Sequence, residues 1–159
     1  MKNKILKSFL ILLLIFLASC FKRWSEEEHE EFDAKCAKTK TFSHKVFHFR
    51  GFDNAEFDSV AIKEYHNGIL LDTFKMFVWP ASDDWHLNNK VRRGSTERAM
   101  NIDYEYHFDV NGKKFILKDM KMIKWAQYNM NSEGYGCVMA EYTINGVRYE
   151  HYANPTFQK

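Results

Sequence analysis

From Phe42 towards the carboxyl terminus the apolar residues recur at every second position, the period of a strand that buries one face. Val46, Phe47, Phe49 and Phe52 mark a first strand, Phe57 to His66 a second and Ile69 to Val78 a third. Asn-Gly pairs at 67–68, 111–112 and 145–146 punctuate the pattern. Asn-Gly is the strongest short hairpin signal, because both residues accept positive φ. The expected fold is all-β: an antiparallel β-sandwich, or alternatively a small β-barrel, built on three hairpins.

The second hairpin sets its own register. Ile102, Tyr104, Tyr106, Phe108 and Val110 alternate with Asp103, Glu105, His107 and Asp109. A two-residue turn at Asn111-Gly112 then places Phe108 opposite Phe115 and Tyr106 opposite Leu117 on the core face. Asp109 meets Lys114 and Glu105 meets Lys118 on the wet face. The same construction at 145–146 puts Ile144 opposite Val147 and Tyr142 opposite Tyr149, with Val138 and Ala140 continuing inward. Its outward pair, Glu141 and Glu150, carries like charges that Arg148 relieves diagonally. The first hairpin does not declare its core face: Val60, Ile62 and Leu71 fall on one side, Ala61, Tyr65 and Phe74 on the other.

Upstream the period changes. Ser25 with Glu28 three residues on is a capping box, and the stretch to about Lys38 places acids first and lysines last, as a helix dipole favours. Phe32 and Cys36 are four apart and share the docking face. Still earlier, Lys2, Lys4 and Lys7 form a basic head, and Phe9 to Leu17 form an apolar run too short to cross a ~30 Å hydrocarbon core. Leu17-Ala18-Ser19-Cys20 closes that run with small residues. The quartet resembles the lipobox of bacterial lipoproteins, and the resemblance covers residues 1–20. It implies cleavage before Cys20 and acylation of Cys20 as the mature amino terminus, with a diacylglyceryl group and an N-acyl chain as the membrane anchor. The implied organisation is a signal peptide over 1–19, a lipidated tether with a short helix over 20–41, and a β-sandwich domain over 42–159. Such a protein is lipid-anchored in the cell envelope, with the outer membrane, on its periplasmic or surface face, as the expected address. The mature domain is similar to small envelope lipoproteins.

Charge sharpens this picture. The chain holds 23 basic and 21 acidic residues; the signal peptide removes three lysines and no acid, which leaves 20 against 21. The apparent basicity belongs to the peptide, so the electrostatic footprint of a nucleic-acid binder is missing and no nucleic-acid partner is expected. Beyond Cys20 only Cys36 and Cys137 remain, and an exported chain most simply pairs them. Closing so long a loop is worth about 4–5 kcal/mol on the chain-entropy model. The alternatives, two free thiols or a metal site, have no supporting spacing or signature.

Two irregular stretches, Trp79 to Arg98 and Trp125 to Gly136, break the hairpin rhythm, and long loops are where binding residues gather. The candidate ligand-binding residues are Trp79, Asp83, Asp84, Trp85 and His86 from the first and Trp125 from the second; aromatics with acids and amides suit a sugar or peptide surface. No Gly-x-Ser-x-Gly, phosphate loop or dinucleotide fingerprint occurs. The histidines lack zinc spacing, and the Asp83-Asp84-His86 cluster lacks the alternating ligands and glycine of a calcium loop. No catalytic residue, metal or cofactor is therefore expected. The expected function is non-enzymatic binding or envelope structure, with membrane lipid through Cys20 and an envelope glycan or protein as partners. An inhibitor of an envelope-degrading enzyme such as lysozyme is the alternative, ahead of a hydrolase using Asp83, Asp84 or His86.

Overall fold

The computed structural model describes residues 23–43, 45–127, 133–150 and 154–159; the expected signal peptide and Cys20 lie outside them. The elements run α1 (Glu26–Lys38), β1 (Thr41–Phe42), β2 (Val46–Arg50), β3 (Ser59–His66), β4 (Ile69–Trp79), α2 (Asp84–Asn88), β5 (Val91–Ser95), β6 (Met100–Asn101), β7 (Glu105–Val110), β8 (Lys113–Ala126), β9 (Tyr135–Ile144), β10 (Val147–Tyr149) and β11 (Thr156–Gln158). The protein is all-β. Nine strands form one sheet in the order β10-β9-β8-β7-β3-β4-β5-β2-β11, and β1 and β6 form a separate two-stranded ribbon. Neighbours in the sheet are antiparallel except β11, which pairs with β2 in parallel.

The two layers of the core are the two ends of this single sheet, which curls into a half-barrel between the sandwich and barrel geometries. Strand β4 turns the corner: up to Phe77 it pairs with β3, and at Val78 and Trp79 it pairs with β5. The far strand β11 thereby comes back over the middle of the sheet. Phe157 packs against Phe108 of β7 at 4.5 Å between ring centroids and Phe115 of β8 at 5.2 Å, while also touching Phe49 of its neighbour β2 at 5.4 Å. All but Phe115 of this group are fully buried. Burying one such ring contributes about 2–3 kcal/mol, so these contacts hold the curl shut.

All three Asn-Gly turns form as the sequence implies, with φ near +50° at each asparagine and near +80° at each glycine. The expected register of the second hairpin is present: Phe108 faces Phe115, Tyr106 faces Leu117, Asp109 faces Lys114, and Lys118 reaches Glu105 at 3.8 Å. In the third, Ile144 faces Val147 and Tyr142 faces Tyr149. Arg148 bridges Glu141 at 2.7 Å and Glu150 at 3.2 Å, resolving the like-charge pair. The Arg148 guanidinium, followed by Lys121, holds the Glu141 carboxyl below the usual carboxylate range.

Strict alternation fails where strands bulge. Tyr65 pairs with Leu70 but Glu64 with Asp72, so Leu71 is an extra residue in β4. The shift aligns Ile62 with Phe74 and Val60 with Met76, and the core face of the first hairpin is the Val60–Ile62 side. Strand β8 holds one extra residue between Lys118 and Lys121, where Asp119 takes φ +53°, and β9 holds one between Met139 and Glu141. Each bulge exchanges inner and outer positions. Met120, Met122 and Met139 therefore enter the core, and the expected inward position of Val138 is corrected: it is only half-buried, opposite Ile123.

The amino-terminal helix is as expected. Ser25 caps it, its hydroxyl accepting from the Glu28 N–H while the Glu28 carboxylate accepts from the Ser25 N–H at 2.7 Å. Cys36 and Cys137 form a disulfide, with Cα atoms 5.2 Å apart and 101 positions between them. The helix lies along the β8–β9 arm, where Trp24 and Phe32 pack on Tyr135 and Lys124 reaches Asp33 at 2.6 Å.

Two polar features close the core. The Tyr106 hydroxyl accepts from the Asn101 N–H at 2.7 Å and donates to the Asn101 carbonyl at 3.3 Å, and burial pushes the phenol far above its ordinary range. Buried Glu64 on β3 is met by Arg98 at 3.3 Å, which also binds Asp72 and lies over the Phe74 ring. Both the turns and this buried pair can be probed by substitution. Gly112→Val should cost more than ~1 kcal/mol in urea unfolding through φ strain alone, since nothing lies within 4 Å of a Cβ placed there; a neutral result would mean another turn type. Arg98→Ala should cost about 1–2 kcal/mol by removing the partner of the buried Glu64 carboxylate, Arg98 itself being 40% exposed. Adding Glu64→Gln should recover most of that loss, and a double variant no more stable than Arg98→Ala would disprove the pairing.

Candidate functional site

The stretch from Trp79 to Arg98 is not one irregular loop. It contains the short helix α2 and the five-residue strand β5. On β5 the alternation separates two adjacent arginines. Arg92 points inward, 2% exposed, with its guanidinium over the Phe57 ring at 4.4 Å and long contacts to the carbonyls of Asp53 and Val78. Arg93 points outward beside Trp79, its cross-strand partner on β4, and His48, its partner on β2. Gly94 faces inward against Val78 and Met76, and a Cβ there would lie 2.8 Å from the Phe77 carbonyl, so β5 can sit this close to β4 only with glycine.

Trp79, Arg93, His48 and Thr156 thus form one row across β4, β5, β2 and β11 on the outer face of the sheet. Phe77, 75% exposed, and Val46 extend the apolar part of that face. Trp79 is 53% exposed, and among the described residues no ring or cation stacks on its indole. The connection from β4 to β5 folds back over the row and walls a cleft of about 430 Å³, lined by Val46, Trp79, Pro80, Ala81, Ser82, His86, Val91 and Arg93. The wall is pinned from below: Asn54 donates its amide N–H to the Ala81 carbonyl at 3.1 Å and accepts the Ala81 N–H at 2.9 Å.

Asp83 is the N-cap of α2. It accepts the His86 N–H at 3.0 Å and holds the His86 imidazole through Nδ1 at 2.6 Å. The His86 N–H, then the His86 ring, keeps the Asp83 carboxyl below the usual carboxylate range. Asp83 therefore stays charged down through the ordinary carboxylate range, and the α2 cap loosens only as pH falls below it. His48 has its pKa lowered by burial first, then by the neighbouring charges of Arg93, His86 and Lys45. No Asp or Glu lines the cleft.

The structure brings together Trp79, His86 and, behind His86, Asp83. Trp85 packs edge-on against His86 at 4.9 Å and is 62% exposed, but like Asp84 it stands outside the cleft lining. Trp125 is not part of this site: it lies near the end of β8, three strands from β4 in the sheet order and beside the α1 arm. Arg93, His48 and Phe77 were not among the candidate residues read from the sequence. Their signal is the alternation Val91 to Ser95, which is visible only once that segment is recognised as a strand. Among the described residues no group of three or more His, Cys, Asp or Glu is placed to hold a metal ion. No protein-family model, no curated protein and no solved structure matches the chain.

Proposed function

We propose that the mature protein is a lipid-anchored, non-enzymatic binding module of a bacterial cell envelope, held by acylated Cys20 and presenting the Trp79–Arg93 cleft to an envelope glycan. The observation that carries the binding reading is the bare outer face of β4 and β5: an exposed indole and a guanidinium side by side, with a walled cleft beside them. An antiparallel sheet ordinarily turns polar residues to water on its outer face, so large exposed aromatics there favour a partner. The cleft falls within the volume range of small-molecule sites. The lipobox-like quartet supports the anchor. Four residues separate Cys20 from the Ser25 cap, so even fully extended the tether keeps the start of α1 within about 17 Å of the membrane surface.

The Asp83–His86 pair favours a second reading, hydrolysis, because a carboxylate on Nδ1 is how a catalytic imidazole is oriented. Among the described residues, however, no hydroxyl or thiol hydrogen-bonds to that imidazole, so a nucleophile is not in place. Binding has the better geometric support.

Cys20→Ala should abolish fatty-acid labelling and leave the precursor uncleaved, seen as a larger band by mass; persistent label would refute the anchor. Trp79→Ala should weaken retention on purified envelope glycan at least tenfold, about 1.4 kcal/mol, while the melting temperature moves by less than about 4 °C. Undiminished retention would remove the cleft from the binding surface.

A further inference from the structure

The charges around the cleft narrow the ligand class. Arg98 and Arg148 each engage two carboxylates. The Arg93 side chain, by contrast, makes no hydrogen bond or salt bridge with any described residue, although it lines the cleft. Asp83, whose carboxylate feels the Arg93 charge, is hydrogen-bonded to the backbone and ring of His86 and is not part of the cleft lining. Around His48 the same imbalance holds on every side: Lys45 on its own segment, Arg93 on β5, His86 from the β4–β5 connection, and uncharged Thr156 on β11. The cleft lining therefore carries positive charge and no acid, offset only by Asp83 outside it, next to an indole on which no described ring or cation stacks.

We infer that the cleft takes an acidic saccharide, its sugar ring on the Trp79 indole and its carboxylate on the Arg93 guanidinium, an assignment that rests on the glycan-binding reading. A guanidinium presents paired N–H donors that match the two oxygens of a carboxylate, and an exposed aromatic face packs against the apolar face of a pyranose. The two groups are cross-strand neighbours, whose Cβ atoms lie roughly 5 Å apart, so one sugar residue can meet both. Ser82, on the cleft wall, adds a hydroxyl donor and acceptor for the sugar's own hydroxyls. A negative charge bound here also relieves the repulsion felt at His48, so binding and protonation of His48 reinforce each other.

The test is titration calorimetry of the unlipidated mature chain, residues 20–159 carrying Cys20→Ala, with trigalacturonate, maltotriose and glucose 6-phosphate, repeated with Arg93→Gln and Trp79→Ala. Trigalacturonate should bind at least tenfold more tightly than maltotriose and weaken as salt rises. It should lose at least tenfold in Arg93→Gln, whose amide spectrum should stay native, and the His48 ring resonances should titrate at higher pH in its presence. If maltotriose binds as tightly and Arg93→Gln leaves it unchanged while Trp79→Ala abolishes it, the acidic assignment is wrong and the glycan reading stands. Preference for glucose 6-phosphate would replace the carboxylate by a phosphate and overturn the assignment. If none of the three binds, the assignment falls, and retention on purified envelope glycan decides whether the binding reading falls with it.

Discussion

Phe157 meeting Phe108 is the contact on which the architecture turns. Nine strands in one sheet would leave a broad apolar face open, and the chain buries it by bringing its last strand over its middle strands. The parallel β2–β11 pair makes this possible. Its Phe157↔Phe49 register aims Phe157 inward, next to Phe47 and Phe49, so both layers of the core are aromatic. The bend in β4 supplies the angle. Without the aromatic contacts the bend would expose β2, β5 and β11 as an unsupported flap.

The same curl decides where a ligand surface can lie. Helix α1 is fastened to the β8–β9 arm by the disulfide and by the Trp24, Phe32 and Tyr135 rings, so it covers that arm, and among the described residues no helix covers the outer face of β4, β5 and β2. On this face side chains alternate with core residues one for one: Phe77 and Trp79 flank buried Val78, and exposed Arg93 sits between buried Arg92 and Gly94. Core packing thus fixes the spacing of the cleft residues, and Asp83 and Asn54 fix the wall beside them. A site built on strands in this way is held more rigidly than one carried by a free loop.

Electrostatics separate the two ends of the molecule. The first turn of α1 carries Glu26, Glu27 and Glu28, whereas the cleft is lined by Arg93 and His86, with His48 beside Arg93 in the sheet, and by no acid. With a net charge of only +2 over the whole chain, such local imbalance and not the overall field would select a ligand.

Local chemistry was legible in the sequence wherever it was sufficient by itself. Asn-Gly requires positive φ at adjacent residues, and all three turns formed with the expected register beside the second and third; Ser25 and Glu28 satisfy each other within one turn, and the cap formed too. Cys36 and Cys137, the two cysteines left once Cys20 is set aside in the lipobox-like quartet, had one simple pairing, and it is present. Non-local contacts decided the rest. The bulges at Leu71, Asp119 and Ala140 leave no mark on the sequence pattern, yet each exchanges the inner and outer faces of its strand. The candidate site was legible in part: Trp79 and His86 were found, but Arg93 and His48 joined them only through pairing of β5 with β4 and β2, while Trp125 was carried away to another arm of the sheet. Turns and caps are settled by neighbours in sequence, whereas a surface shared by strands is settled by which strands the buried face brings side by side.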